Sequence, residues 1–272
     1  MRRPPQPQPS GRPSARVAAA IALALLALGA ASFASAEVAQ KGTLRLSVTG
    51  RISPKKLPRK GSAPIAVSVG WRIKTTDGSA PPTLKTLGIE INRNGLLDSA
   101  GLPSCPYAKI QPASTSRALA SCRPALVGRG HFSALVGLRG QEPYVSRGQM
   151  LVFNGESHGK PILLGQIYSA RPFASSFVIP FRVDRLAHGT YGTTLNATLP
   201  ASLLAWGNLT EVEMRLSRKF SYRGARRSFL SAGCPAPKGF PGAVFPLART
   251  SFSFLGEPGQ VLTLNSRCEV RG

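Results

Sequence analysis

The chain has 272 residues, with 35 Lys and Arg against 11 Asp and Glu for a formal net charge of +24. Its four cysteines include no C-x-x-C pair, which argues against a zinc ribbon or a dithiol redox centre, and no cofactor is expected. Length and apolar content suffice for one large β domain or two small ones.

Arg2, Arg3, Arg12 and Arg16 form a basic, proline-rich start, Val17 to Ala31 is an apolar run, and Ala34-Ser35-Ala36 is a small-residue cleavage site. That order is the pattern of a secretory signal peptide over residues 1–36, with cleavage after Ala36. An uncleaved anchor is the alternative, but the run falls short of the ~20 residues that span a bilayer. Taking the leader's four Arg from the 35 bases leaves 31 against 11 acids, so residues 37–272 carry +20. All four cysteines lie in this part, which suits an oxidising compartment outside the cell or in its envelope. Four cysteines allow three pairings, and Cys105–Cys122 with Cys234–Cys268 is favoured because each pair brackets a turn-rich segment.

In chain order, Leu44, Leu46 and Val48 alternate with polar neighbours, and a basic connector ISPKKLPRKGSAP follows. Ile65 to Lys74 is the cleanest half-buried strand, with Ile65, Val67, Val69, Trp71 and Ile73 on one side. Leu87, Ile89 and Ile91 make the next, stopped by Asn92-Arg93-Asn94-Gly95. SRALASC, behind the N-cap candidates Ser114 and Thr115, is the one helix of the first half. Strands are expected over 125–138, 149–154 and 160–168, then on the Phe177–Val183 and Thr193–Leu199 alternations. LPASLLAWGN reads as a short helix between Pro200 and Gly207. Val212, Met214, Leu216, Phe220 and Tyr222 share a parity that Arg218 interrupts, which predicts a bend or bulge there. Ala248 to Phe254 and Leu262 to Val270 form a hairpin around Gly256-Glu257-Pro258-Gly259. These elements predict an all-β protein: an antiparallel β-sandwich of about ten strands with one or two short helices and two disulfides. Residues 37–272 read as one domain, with RGQEPYVSRG at 139–148 as the alternative boundary between two lobes.

INRNG with GLPSC, ALVGRG, GTYGTTLNATLP and CPAPKGFPGAVFPLARTSFSF resemble segments of secreted four-cysteine bacterial β proteins that have no assigned function. The resemblance implies a cell-envelope or extracellular β protein. It transfers no catalytic or binding residue.

Gly155-Glu156-Ser157-His158-Gly159 fits the G-x-S-x-G nucleophile-elbow pattern, and Asp184 and His188 follow in hydrolase order. A true elbow leads into a helix, whereas Lys160-Pro161 and a strand-like ILLGQIY follow here, so a hairpin turn is the better reading. His131, His158 and His188 are scattered without metal-ligand spacing. Glu211 and Glu213 face outward beside Arg215, as on a solvated face. Two basic clusters stand out: Arg51, Lys55, Lys56, Arg59 and Lys60, and then Arg215, Arg218, Lys219, Arg223, Arg226 and Arg227. The second is interleaved with Phe220, Tyr222 and Phe229, so Arg215, Lys219, Arg223, Arg226 and Arg227 are the anion-binding candidates. A basic surface that merely keeps the protein soluble is the plainer account. The partners implied are anionic cell-surface polymers, lipid headgroups or extracellular DNA, since export disfavours intracellular nucleic acid. The expected function is an exported, non-enzymatic structural or binding protein of the envelope or extracellular space. The alternative is a secreted hydrolase whose site assembles from distant residues.

Overall fold

A computed structural model describes residues 35–137 and 140–271. The expected leader lies outside the described residues, apart from Ser35 and Ala36, which begin the first strand. In chain order the strands are β1 (Ser35–Lys41), β2 (Leu44–Ser53), β3 (Lys56–Leu57), β4 (Ala63–Pro64), β5 (Ala66–Thr75), β6 (Leu84–Asn92) and β7 (Gly95–Leu97). Helix α1 (Thr115–Cys122) precedes β8 (Leu126–Val136), β9 (Tyr144–Ser157), β10 (Lys160–Ser169), β11 (Ser175–Arg185) and β12 (Tyr191–Thr198). Helix α2 (Ala201–Trp206) leads to β13 (Asn208–Leu216), β14 (Lys219–Tyr222), β15 (Ala225–Ser228), β16 (Leu230–Ala232), β17 (Gly242–Phe254) and β18 (Gln260–Val270). The protein is mostly β, with two short α-helices among the described residues and two disulfides.

The alternation seen in the sequence is the alternation of burial. Leu44, Leu46, Val48 and Ile52 of β2 are buried while Arg45, Thr49 and Arg51 are exposed, and Leu262, Leu264 and Cys268 of β18 are buried between exposed neighbours. The arrangement of the strands differs from the expected two facing sheets. Among the described residues, thirteen strands form one sheet in the order β1-β2-β5-β13-β8-β9-β10-β11-β12-β6-β17-β18-β3. It curls until β18 lies against β1 and β2. The closing device is covalent: β2 runs on through Pro54-Lys55 into β3, which pairs parallel with the end of β18. Gly50 of β2 lies where Leu264 of β18 packs across the seam, and a side chain there would collide with it. A sandwich and a curled sheet have the same inside-outside alternation. They differ only in whether hydrogen bonding is continuous from one hairpin to the next, and no single strand's sequence records that.

Two small sheets complete the fold. β4, β16 and β7 form one, and Cys234, just after β16, is bonded to Cys268 of β18. β14 and β15 form the other, a separate hairpin. The strand that Arg218 was expected to bend in fact ends at Leu216, and the chain restarts at Lys219 in that hairpin.

Strand β9 over Met150–Gly155 and strand β10 over Ile162–Ile167 are covered on both faces. Met150, Val152 and Leu163 face the interior of the curled sheet, while Leu151, Phe153 and Leu164 meet Ile110, Ala118 and Cys122 of an outer cap. This double burial is why Met150–Gly155 and Ile162–Ile167 are mostly apolar without clean alternation, their polar residues being the buried Asn154 and Gln166. Ser114 caps α1 as expected, its hydroxyl accepting from the Arg117 N–H at 3.3 Å. Buried Gln166 donates to the Ala113 carbonyl at 2.8 Å, and Asn154 donates to that of Pro103 at 3.1 Å, so side chains of the sheet hold the cap's backbone. Cys105–Cys122 ties the cap to itself across 17 residues.

Both favoured pairings are present, and they close loops of 17 and 34 residues. In the chain-entropy account, removing them costs about 3 and about 4 kcal/mol respectively. Replacing both cysteines of either pair with Ala should lower the guanidinium midpoint accordingly, with the larger loss for Cys234–Cys268. Hydrogen exchange in the Cys105–Cys122 variant should rise chiefly over residues 98–125. A uniform rise across the sheet would show that the cap is not a separate cooperative unit.

Candidate anion-binding face

The hydrolase motif is a tight turn. Ser157 is the last residue of β9 and pairs with Lys160, the first of β10, leaving His158 (φ 50°) and Gly159 (φ 73°) as the two turn residues. Positive φ at both positions is the geometry of a two-residue hairpin loop with a primed turn, and the chain goes from strand to strand with no helix. Asp184 sits opposite Thr194 near the end of β11, and His188 lies in the loop before β12. All three side chains are exposed, and among the described residues no hydrogen bond joins any two of them. The histidines are also dispersed: among the described residues no three His, Cys, Asp or Glu side chains group as metal ligands.

The basic clusters divide between structural and free positions. Arg59 is structural, donating to the carbonyls of Ala236 and Phe240 at 2.7 Å each, and to that of Pro237, so it pins the loop before β17. In the β14–β15 hairpin, Arg227 donates to Asp98 at 3.0 Å. Its guanidinium and that of Arg223 lie 5.6 and 5.2 Å from the centre of the Tyr222 ring. The ring in turn covers Gly101, whose φ of 84° and lack of a side chain make room for it. Phe220 is half-buried against the core and Phe229 is fully buried. The aromatic residues of this cluster therefore build the hairpin's dock and offer no free stacking platform. Lys219 and Arg226 are exposed, paired opposite Ser228 and Ser221, on the hairpin's other side.

Arg215 belongs to a different surface. On the outer side of β2, β5, β13, β8 and β9 the pairing register builds cross-strand rows. Arg51, Ser68, Arg215 and Arg129 form one; Ser47, Arg72, Glu211, Ser133 and Arg147 form another; Arg45 and Lys74 begin a third. Between the first two lies Thr49, Gly70, Glu213, His131 and Gln149. Arg45, Arg51, Arg72, Lys74, Arg129, Arg147 and Arg215 are all exposed. Seven cations thus share one face with two carboxylates. Glu211 is paired with Arg72, and Glu213 lies 3.2 Å from His131. The hydrogen bond to Glu211 raises the Arg72 pKa, against a smaller opposing effect of burial and with help from the charges of Glu211 and Glu213. Gly70 leaves a shallow hollow of about 80 Å³ amid Ser47, Thr49, Arg72 and the two glutamates.

Neighbouring strands lie about 4.8 Å apart, and alternate residues of a strand about 6.7 Å. Arg215 and Arg129, and likewise Arg45 and Lys74, opposite each other on adjacent strands, and Arg72 and Lys74, alternate on β5, are the closest pairs among the outward bases. Arg51 and Arg215 were singled out from their local clusters, whereas Arg45, Arg72, Lys74, Arg129 and Arg147 were not. Arg129 and Arg147 each stand as the one outward base of β8 and β9, and Arg45, Arg72 and Lys74 lie on β2 and β5 away from the dense clusters. What joins them is strand order, above all the insertion of β13 between β5 and β8.

Gly101→Ala should unseat the β14–β15 hairpin, because the new methyl group meets the Tyr222 ring and alanine disfavours positive φ. The expected loss is about 1–3 kcal/mol of stability, with faster hydrogen exchange over residues 219–228. Gly42→Ala, at φ 58° but facing open space, should cost less and leave the hairpin protected. Equal effects from both variants would refute the docking role of Tyr222. No family model matches this chain, and neither a curated protein nor a solved structure is significantly similar to it.

Proposed function

We propose that the protein is an exported, non-enzymatic binding module of the cell envelope or extracellular space. In this reading it holds an anionic polymer on the outer face of β2, β5, β13, β8 and β9. The observation that carries the reading is the row structure of that face: seven exposed Arg and Lys side chains against two carboxylates, on five adjacent strands. Guanidinium groups suit phosphate, sulfate and carboxylate, since each offers two parallel N–H donors to such an anion. The rows otherwise carry Ser, Thr, Gly, Gln and His, and on the five strands the large apolar side chain exposed beside them is the single Val145, next outward from Arg147 on β9. That composition favours a hydrated polymer over a lipid surface. The two disulfides are consistent with an oxidising compartment, and the apolar N-terminal run is the feature that supports export.

Calorimetric titration with dextran sulfate is the test. Affinity should fall at least tenfold between roughly 50 and 200 mM salt, as ion release requires, and neutral dextran should not bind. Arg51→Glu, Arg129→Glu and Arg215→Glu combined should abolish binding at the lower salt. Arg182→Glu, Lys238→Glu and Arg267→Glu combined change net charge equally away from these rows, and should retain affinity within about threefold. Equal losses from the two triple variants would reduce the effect to net charge and refute the face. Tighter binding to phosphatidylglycerol vesicles, lost in the first triple variant, would replace the polymer with a membrane.

A further inference from the structure

We infer that the interior of the curled sheet is a binding site for a hydrocarbon group, supplied either by a small apolar molecule or by the alkyl end of an amphiphile. This site is separate from the basic face and has the opposite chemistry. Val67 and Val69 on β5, Met214 and Leu216 on β13, and Ile89 and Ile91 on β6 all line the interior, yet each is only half-buried. Inward positions of the neighbouring walls, such as Leu46, Val48, Met150 and Val152, are fully buried. The β5–β13 wall and the β6 wall therefore do not meet, and a cavity of about 150 Å³ lies between them.

Its lining has no titratable side chain. Polar side chains enter only at Asn92, Asn94 and Ser231, which lie towards the small β4-β16-β7 sheet. Asn92 is already engaged: its amide donates to the Pro246 carbonyl at 2.8 Å, and its oxygen accepts from the Asn94 backbone and side chain at 2.9 and 3.0 Å. A water molecule inside would find too few partners, whereas an apolar cavity of about this size takes up benzene or xenon. Leu96 of β7 both lines the cavity and is 44% exposed, so the cavity opens there. The polar end of an amphiphile would rest at this mouth, beside Asn94 and Ser231. Selection would rest on size and on the absence of hydrogen-bonding groups in the inserted part.

Trp71 lines the cavity and reports on it directly. The sequence has two tryptophans, so Trp206→Phe leaves Trp71 as the sole emitter. In that background, decanoate brominated at its chain end should quench Trp71 saturably, and benzene should compete. Val69→Phe and Met214→Phe, which fill the cavity, should raise the melting temperature and weaken quenching at least tenfold. Thr263→Phe, on the outer side of β18, should change neither. Benzene uptake without decanoate binding identifies the ligand as a free apolar molecule, and binding of both identifies an alkyl chain. Absence of quenching with the unfilled protein overturns the site, as does undiminished quenching in both filled variants once their circular dichroism shows them folded.

Discussion

The fold depends on the closure of one hydrogen-bonded sheet by the chain's own covalent path. β2 lies near one edge, and three residues after its end β3 is already paired with β18 at the other. A sheet that curls this far brings its inner side chains onto a common interior, so a second layer is not needed to bury them. The parallel pairing is only two residues long, and it is reinforced by the Cys234–Cys268 bridge and by the Glu269 N–H donating to the Lys55 carbonyl at 3.0 Å. Without that seam, β1 and β18 would be the two exposed edges of the sheet.

Closure also explains why the interior is not completely filled. A sheet of this many strands encloses more space than the Val, Ile, Leu and Met side chains lining β5, β6 and β13 can occupy. At roughly 24 cal/mol per Å³, a cavity of 150 Å³ forgoes about 4 kcal/mol of packing. Two disulfides worth about 3 and about 4 kcal/mol are of the size needed to offset it. The outer cap over β9 and β10 adds a second apolar cluster that does not draw on the interior at all.

The inward and outward positions of most strands were legible in the sequence, as were the hairpin at Gly256–Gly259, both helices with their ends and both sulfur pairings. Each of these is local: a period of two, a cap at Ser114, a Pro200 before a helix and a Gly207 after it, or a loop short enough to close. The curl was not legible, because Leu264 looks the same whether it faces a second sheet or Gly50 across a seam. Strands were expected at 149–154 and 160–168 and are present, but what covers their outer sides was not legible, because that cap comes from residues around Ile110 and Ala118, remote in sequence. The candidate site was half legible. Arg51 and Arg215 stood out by local density, but their company with Arg129 and Arg147 exists only through the order β2-β5-β13-β8-β9. The nearby aromatics misled, since Tyr222 and Phe229 turn towards their own fold.

The seam sets an order of events for the newly made polypeptide. β3 ends at Leu57, and its partner β18 does not begin until Gln260. A chain that emerges amino end first must therefore hold its early strands, including the greasy side of β2 and β5, without their final neighbours until nearly the whole length has arrived. Such pairings between remote segments are slow to form and leave adhesive intermediates in the meantime. Arg45, Arg51, Arg72 and Lys74, outward on those same early strands, give them charge of one sign, and like charge opposes the association of such intermediates.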